Sequence, residues 1–467
     1  RCMQGPQSDP QRDAVSLPGN AMPDGAVCIR GEDGSPLPIN AKVAAYLASL
    51  TWFRKFYRRR VGYGIARGIR KRFDIRLRGV TNPTTTAIPI IALNHWTDDD
   101  PSVLLAACLA VPSLVPLLRC SIYVMGEHTF QPGFMGAYVH KEPRWLSYLL
   151  FHTNISPFLK FSGGISVAYA RTRLLTAHLH EVLTYHGNIE LRDVFEQTVD
   201  TYLPGAPEGI RVRDALRFRY RDALFEQREF SIFRQPFADE LWKRHRKRIG
   251  EFIVEVARLA DNGRVMQMAP QGLITRTGVP NHVRSGVFQL IHTMHERAEM
   301  VPVNITYDPM MPGRPCVYAT IGNTKQLPRD TTKDEFNDLI RNAILGDAPI
   351  TVSQLAAEAF RALALRGESR VGIAALKEQL RTRARELSDN GYAVIPDPAD
   401  KSAFETRFEK LLAYCKEKKF RVENDGVHFD PAVVLDEQIH RSGYARSWFY
   451  CYNELQARFT QPHGDFG

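Results

Sequence analysis

Six short apolar runs, separated by helix-patterned stretches, constrain this chain more than any other feature. Ile88–Leu93 (IPIIAL) is a run of the kind that forms a buried strand, and Ile122–Met125, Gly164–Val167, Val265–Met268, Met300–Ile305 and Val317–Ile321 read the same way. Helical patterns lie between them, notably at 101–110, 173–186 and 284–297. This alternation predicts an α/β layer structure with its chemistry on loops at strand ends.

The 467 residues suggest two or three domains of about 150 residues each. Residues 1–40 (QGPQSDPQRD, PGNAMPDG, GEDGSPLP) are turn formers without periodicity and read as a flexible tail. Residues 41–73 read as a basic, amphipathic helical segment, with Gly62, Gly64 and Gly68 weakening its second part. The α/β domain then spans 74–328. It includes a helical insertion at about 174–263, where RVRDALRFRYRDALF and LWKRHRKRIGEFIVEVARLA carry helical patterns. Residues 329–467 read as a helical C-terminal region.

Charge is placed unevenly. The net charge is +10, yet all of the excess lies between Asp33 and Asp74, a stretch with no acidic residue and ten basic ones: Lys42, Arg54, Lys55, Arg58–Arg60, Arg67 and Arg70–Arg72. Without them, basic and acidic residues balance at 51 each. A general nucleic-acid packager, coated in positive charge, is thereby disfavoured, and the WKRHRKR run at 242–248 reads as a solvated helix face. The seven cysteines are scattered with no C-x-x-C pair, which fits a reducing compartment and argues against a zinc site. His282, His292 and His295 spread around a helix without a carboxylate set, so no metal is expected there. The N-terminus has no apolar signal core. Pro101–Leu118 is uncharged for 18 residues, but Pro112 and Pro116 interrupt it, so it reads as a buried helix followed by a turn and not as a span.

The strongest local signal is IIALNHWTDDDPSVLLA at 90–106. A buried strand ends at Leu93, Asn94 and His95 sit on the loop, and Asp98, Asp99 and Asp100 lie within five residues, before a helix opened by Pro101. A carboxylate bonded to one imidazole nitrogen fixes the tautomer and lets the other nitrogen take a proton from a hydroxyl. Asp before Pro is also an ordinary helix start, so spacing alone leaves Asp100 as an N-cap and its neighbours as partners of the helix dipole.

NHWTDDD resembles the Asn-His-x4-Asp motif of the glycerolipid acyltransferases, the family of bacterial glycerol-3-phosphate and lysophosphatidic acid acyltransferases. Three further blocks follow in family order: Gly163–Val167; Ala269–Gly278 with Arg284-Ser285-Gly286 behind it; and Val301–Val303. The resemblance covers roughly 75–325 and implies a mixed sheet flanked by helices, with 74–328 as an acyltransferase domain. It implies transfer of a fatty acyl group from acyl-CoA or acyl carrier protein to a hydroxyl of glycerol-3-phosphate, a lysophospholipid or a related acceptor. His95 would be the general base and Asp100 its orienting partner, with no metal or redox cofactor. Asn94, Thr97, Gly164, Arg171, Arg173, Gln271, Gly272, Arg276, Arg284 and Gly286 would contact substrate. His140-Lys141-Glu142 aligns loosely with a further family segment.

Two departures bear on the acceptor. Gln271 and Ile274 replace the third block's usual Glu and first Arg, the Arg being generally assigned to the acceptor's phosphate, and Arg171, Arg173, Arg276 and Arg284 are the guanidinium groups that stand in for it. The alternative to an enzyme is a family member that binds lipid or acyl carrier without turnover. With an acyltransferase body attached, 41–73 reads as an anchor on the anionic cytoplasmic face of a membrane, peripheral or monotopic.

Overall fold

The computed structural model describes residues 26–30, 36–80, 85–97, 99–138, 143–167, 172–272, 275, 277–280, 282–418, 420–437 and 448–459. The elements begin with strands β1 (Ala26–Arg30) and β2 (Pro36–Asn40), helices α1 (Ala41–Ser49) and α2 (Trp52–Arg72), then β3 (Asp74–Gly79) and β4 (Ile88–Leu93). Helices α3 (Asp100–Cys108) and α4 (Val115–Cys120) follow. Next come β5 (Ser121–Gly126), α5 (Phe134–Tyr138), α6 (Arg144–Phe151), α7 (Ser156–Ser162), β6 (Gly164–Val167), β7 (Thr172–Leu174), α8 (Leu175–His186) and β8 (Gln227–Glu229). After a helix at Phe237–Asp261, the chain forms β9 (Val265–Met268), β10 (Ala298–Asp308), β11 (Cys316–Ile321) and β12 (Lys325–Gln326). It ends in a mainly helical region.

Two compact units result: 1–121 with 260–467, and 122–259. The first is built on a mixed sheet. Its strands lie in the order β3, β11, β10, β4, β9, with β12 added to β10. β4 is parallel to both neighbours, with Val303 opposite Leu93 on one side and Met268 opposite Ala92 on the other. Every residue of β4 and β10 is buried, which is why β4 reads as a continuous apolar run, whereas β10 also buries Glu299, Asn304, Thr306 and Asp308. All six expected strands form, and the parallel arrangement delivers Asn94 and His95 at the carboxyl end of a central strand, where open α/β sheets hold their ligands.

Several boundaries move. Within the expected tail, β1 and β2 pair antiparallel, Val27 opposite Ile39 and Ile29 opposite Leu37, because Val27, Cys28 and Ile29 precede the turn formers and Leu37 and Ile39 follow them. The basic segment is two helices, and α2 runs unbroken for 21 residues through its glycines. It packs Gly62, Ala66 and Ile69 inward while Trp52, Phe53, Phe56, Tyr63 and Ile65 are exposed. Pro101–Leu118 is largely buried and bends by 109° between α3 and the Pro112–Cys120 stretch; among the described residues no single helix is long and apolar enough to cross a membrane.

The C-terminal region belongs to the same unit as the sheet. At the end of β10, Asp308 accepts two bonds from Arg407 (2.7 and 2.6 Å) and one from the Ser353 hydroxyl, tying the sheet to the helices Lys401–Glu417 and Val352–Leu365. Phe360 and Tyr414 of those helices form an aromatic centre with Phe420, Phe429 and Trp448. Burying one such ring contributes about 1.5–3 kcal/mol.

The second unit is larger than the expected helical insertion at 174–263: residues 174–259 fold together with 122–173, and Leu175, Leu179 and Val182 of α8 share a core with Phe151, Phe195 and Leu224. RVRDALRFRYRDALF is broken into single turns at Val212–Ala215, Phe218–Tyr220 and Arg221–Leu224. The WKRHRKR run does lie on a helix, yet His245 is buried and Arg248 pairs with Glu181, so that face is only partly solvated.

Candidate functional site

The site grows from the carboxyl end of β4. The Asn94 side chain extends the ladder past the last strand residue: its Nδ2 donates to the Ile305 carbonyl (2.8 Å) and its Oδ1 accepts from the Ile305 N–H (2.7 Å). Expected to contact substrate, Asn94 is instead fully buried and fixes where the loop leaves the sheet.

His95 follows, with its side chain 20 % exposed. Its Nδ1 lies 3.4 Å from Asp100 Oδ2, and Nε2 has no partner among the described residues. Asp100 does not cap α3: Asp99 is the N-cap, and the Asp100 carboxylate turns back over the loop. Its Oδ2 accepts from the N–H groups of Trp96 and Thr97, and its Oδ1 from the hydroxyls of Thr97 (3.1 Å) and Tyr307 (2.6 Å). Every one of these contacts is a donor, the complement of an acceptor-only carboxylate. Asp99 is separately engaged by Arg72 of α2 through two bonds (2.7 and 2.8 Å). Thr97, read as a substrate contact, is buried and serves the Asp100 carboxylate and the Asp99 N–H.

The neighbouring strand β9 supplies the second wall. Its following loop holds the His95 peptide from both sides, since Gln271 Oε1 accepts the His95 N–H (2.9 Å) and the Thr275 N–H donates to the His95 carbonyl (3.1 Å). Buried Gln271 is therefore a support for His95 and not a group presented to substrate. Only an acceptor oxygen is needed for that bond, and an amide supplies one as a carboxylate would. Gly272 adopts φ +70° and is exposed beside Arg284, whose Nε donates to the Gln271 carbonyl (3.3 Å). Arg284 and Gly286 are both exposed at the start of the helix Ser285–Thr293.

The C-terminal helix Trp448–Gln456 braces the same loop. Tyr450 packs edge-on against buried Trp96 (ring centroids 6.1 Å apart), Asn453 donates to the Thr277 carbonyl (2.8 Å), and Gly278 lies so close to the Tyr450 carbonyl that any Cβ there would clash. Glu454, fully buried on that helix, is pushed up to about 7, first by burial and further by Asp100 and Asp308, against the pull of Arg458.

Gly164 and Arg173 lie in the other unit. Arg173 is buried there, donating to Glu127 (2.6–3.0 Å) and to Glu181, so its guanidinium is held by carboxylates and not offered to an acceptor phosphate. Asp98, His140-Lys141-Glu142, Arg171, Ile274 and Arg276 fall outside the described residues. The ring nitrogens of His292 lie 2.8 and 2.9 Å from the carbonyl oxygens of Phe288 and Arg329, and among the described residues no three His, Cys, Asp or Glu side chains gather as a metal site. A cleft of about 510 Å³ lies between the helices Val352–Leu365 and Ile373–Asp389, and one of about 480 Å³ is lined by Arg192, Glu196 and Arg234; neither borders His95.

Tyr307, Trp96, Thr275 and Tyr450 are the site residues that sequence reasoning missed. Tyr307 lies two residues beyond the strand as read from its apolar run, and only a longer β10 would have pointed to it. In comparisons with known proteins, no family model and no curated protein matches this chain.

Proposed function

We propose that the protein is an acyltransferase that moves a fatty acyl group from acyl-CoA or acyl carrier protein to a hydroxyl of a glycerolipid-type acceptor. The observation that carries this reading is the His95–Asp100 pair, with Nδ1 facing a carboxylate surrounded by donors and Nε2 open. With Nδ1–H donating to Asp100, the lone pair resides on Nε2. That nitrogen removes the proton of the acceptor hydroxyl as its oxygen attacks the thioester carbonyl. Collapse of the tetrahedral intermediate breaks the C–S bond, and the imidazolium returns its proton to the leaving thiolate. A thioester is already activated, so a positioned base suffices and no acyl-enzyme is required.

The exposed Arg284 guanidinium, beside Gly272 at the rim of the loop, is the described group best placed to meet an anionic acceptor headgroup. Support for a membrane-surface location comes from α2, which exposes Trp52 (75 %), Phe53 (59 %) and Phe56 (42 %) among its arginines. Aromatic rings for the headgroup layer and cations for anionic lipid are the two signals of an interfacial helix. The test is a donor-by-acceptor screen with free-thiol release as readout: long-chain acyl-CoA or acyl carrier protein against glycerol-3-phosphate and lysophospholipids. The reading expects thiol release that depends on both donor and acceptor. Donor or lipid binding without release would favour a non-catalytic binding protein.

A further inference from the structure

The unit 122–259 carries an exposed aromatic face of its own. Helix α6 buries Ser147 and Phe151 on one side, pressed so closely on α5 that a Cβ at Gly136 would meet the Ser147 carbonyl and the Phe151 backbone at 2.4 Å. Its other side presents Arg144, Trp145, Tyr148, Leu149 and His152, at helical positions i, i+1, i+4, i+5 and i+8. Trp145 is 68 % exposed, Leu149 57 % and Tyr148 54 %. Helix α7 buries no residue at all, although it contains Phe158, Leu159 and Phe161. Between Glu142 and Glu181 the chain has no acidic side chain, and Arg144 and Lys160 flank the exposed rings.

We propose that α6 and α7 form a second membrane-contacting element, which inserts Trp145 and Leu149 into the surface of an anionic bilayer. The occupant follows from the chemistry: exposed Trp and Tyr belong at the boundary of headgroup and hydrocarbon, and basic residues on a stretch of chain without acidic side chains complement anionic lipid. The element is distinct from α2 and does not depend on catalysis.

The full chain with Trp145→Cys is labelled with an environment-sensitive fluorophore. The described cysteines are all buried, so the new thiol is the reactive one among them, and a Cys2→Ser background removes the one cysteine outside the described residues. A label at Val254→Cys, an exposed position on the helix Phe237–Asp261, serves as the control. With phosphatidylcholine/phosphatidylglycerol vesicles, the label at 145 is expected to shift to the blue and to lose at least half of its quenching by iodide, while the label at 254 changes in neither. In the unlabelled chain, the pair Trp145→Ser and Leu149→Ser is expected to weaken vesicle co-sedimentation at least tenfold with an unchanged circular dichroism spectrum. Protein that co-sediments while the label at 145 stays as quenchable as in water overturns the proposal and leaves the acyltransferase reading intact. A blue shift without vesicles, growing with protein concentration, marks the face as a self-association surface and overturns it equally. Protein that does not co-sediment overturns it together with the role of α2, and thiol release remains the separate test of catalysis.

Discussion

Tyr307 donates its phenolic proton to Asp100 across 207 residues of sequence, with an O–O distance of 2.6 Å, so the partner of His95 is held by the strand next to the one that delivers His95. An Asp100→Asn substitution places an amide NH2 among groups that are all donors. Transfer is expected to fall by about 10²–10⁴ in kcat, the range of a mispositioned general base. Tyr307→Phe removes a single donor to a charged group, and the expected result is a stability loss of about 1.5–3 kcal/mol in urea denaturation, together with a smaller fall in kcat.

The Asp308–Arg407 pair joins the sheet to the C-terminal helices. Burial alone would raise the Asp308 carboxyl, but the attraction of Arg407 and the bonds from Arg407 and Ser353 hold it below its ordinary value. A lowered carboxyl stabilises the fold above its unfolded pKa, and that stabilisation is lost as pH falls through the folded value. Arg407→Met is expected to cost about 3–5 kcal/mol by leaving a buried charge unpaired. The double variant Asp308→Leu with Arg407→Met should recover most of that loss, as read by the urea midpoint.

Glu454 behaves in the opposite sense. Its carboxyl is raised to about 7, so between roughly pH 4.5 and pH 7 the folded protein holds a proton that the unfolded chain releases. Stability therefore falls through this window as pH rises, by about 3 kcal/mol, and the penalty is constant above it. Comparing urea midpoints at about pH 5 and pH 8, Glu454→Gln should remove this portion of the slope; an identical slope in the variant would assign it to other groups.

Arg58 differs from its neighbours. It donates to the carbonyls of Arg119 (2.6 Å) and Ser121 (3.2 Å), whereas Arg59 and Arg60 are exposed. Arg59→Glu with Arg60→Glu is expected to release the protein from anionic vesicles without unfolding it, and binding of the wild type should weaken with salt. Arg58→Glu should lower the melting temperature, because it removes two bonds that hold α2 to the end of α4.

What could be read from the sequence was local. The six strands were legible because each carries a short run rich in apolar residues, unbroken in the buried parallel strand β4, and the His95–Asp100 spacing falls within one loop and one helix start. Roles set by distant chain were not legible: Asn94, Thr97 and Gln271 have the polarity of substrate contacts, yet each satisfies a buried backbone or carboxylate partner. Arg173 was misread for the same reason, since nothing near it announces Glu127. At 211–225, helix periodicity lost to tertiary packing, where Val212 with Ala215, Tyr220, and Leu224 turn into one core from three separate turns. The pairing of β1 with β2 was hidden by the turn formers around it.

The central claim is that His95 is the base of an acyl transfer. It is tested most directly by thiol release from a long-chain acyl-CoA, with an acceptor found in the donor-by-acceptor screen, comparing wild type with His95→Ala at matched folding. The account predicts that the variant's rate falls to the background seen without enzyme. Transfer by His95→Ala at the wild-type rate would contradict it.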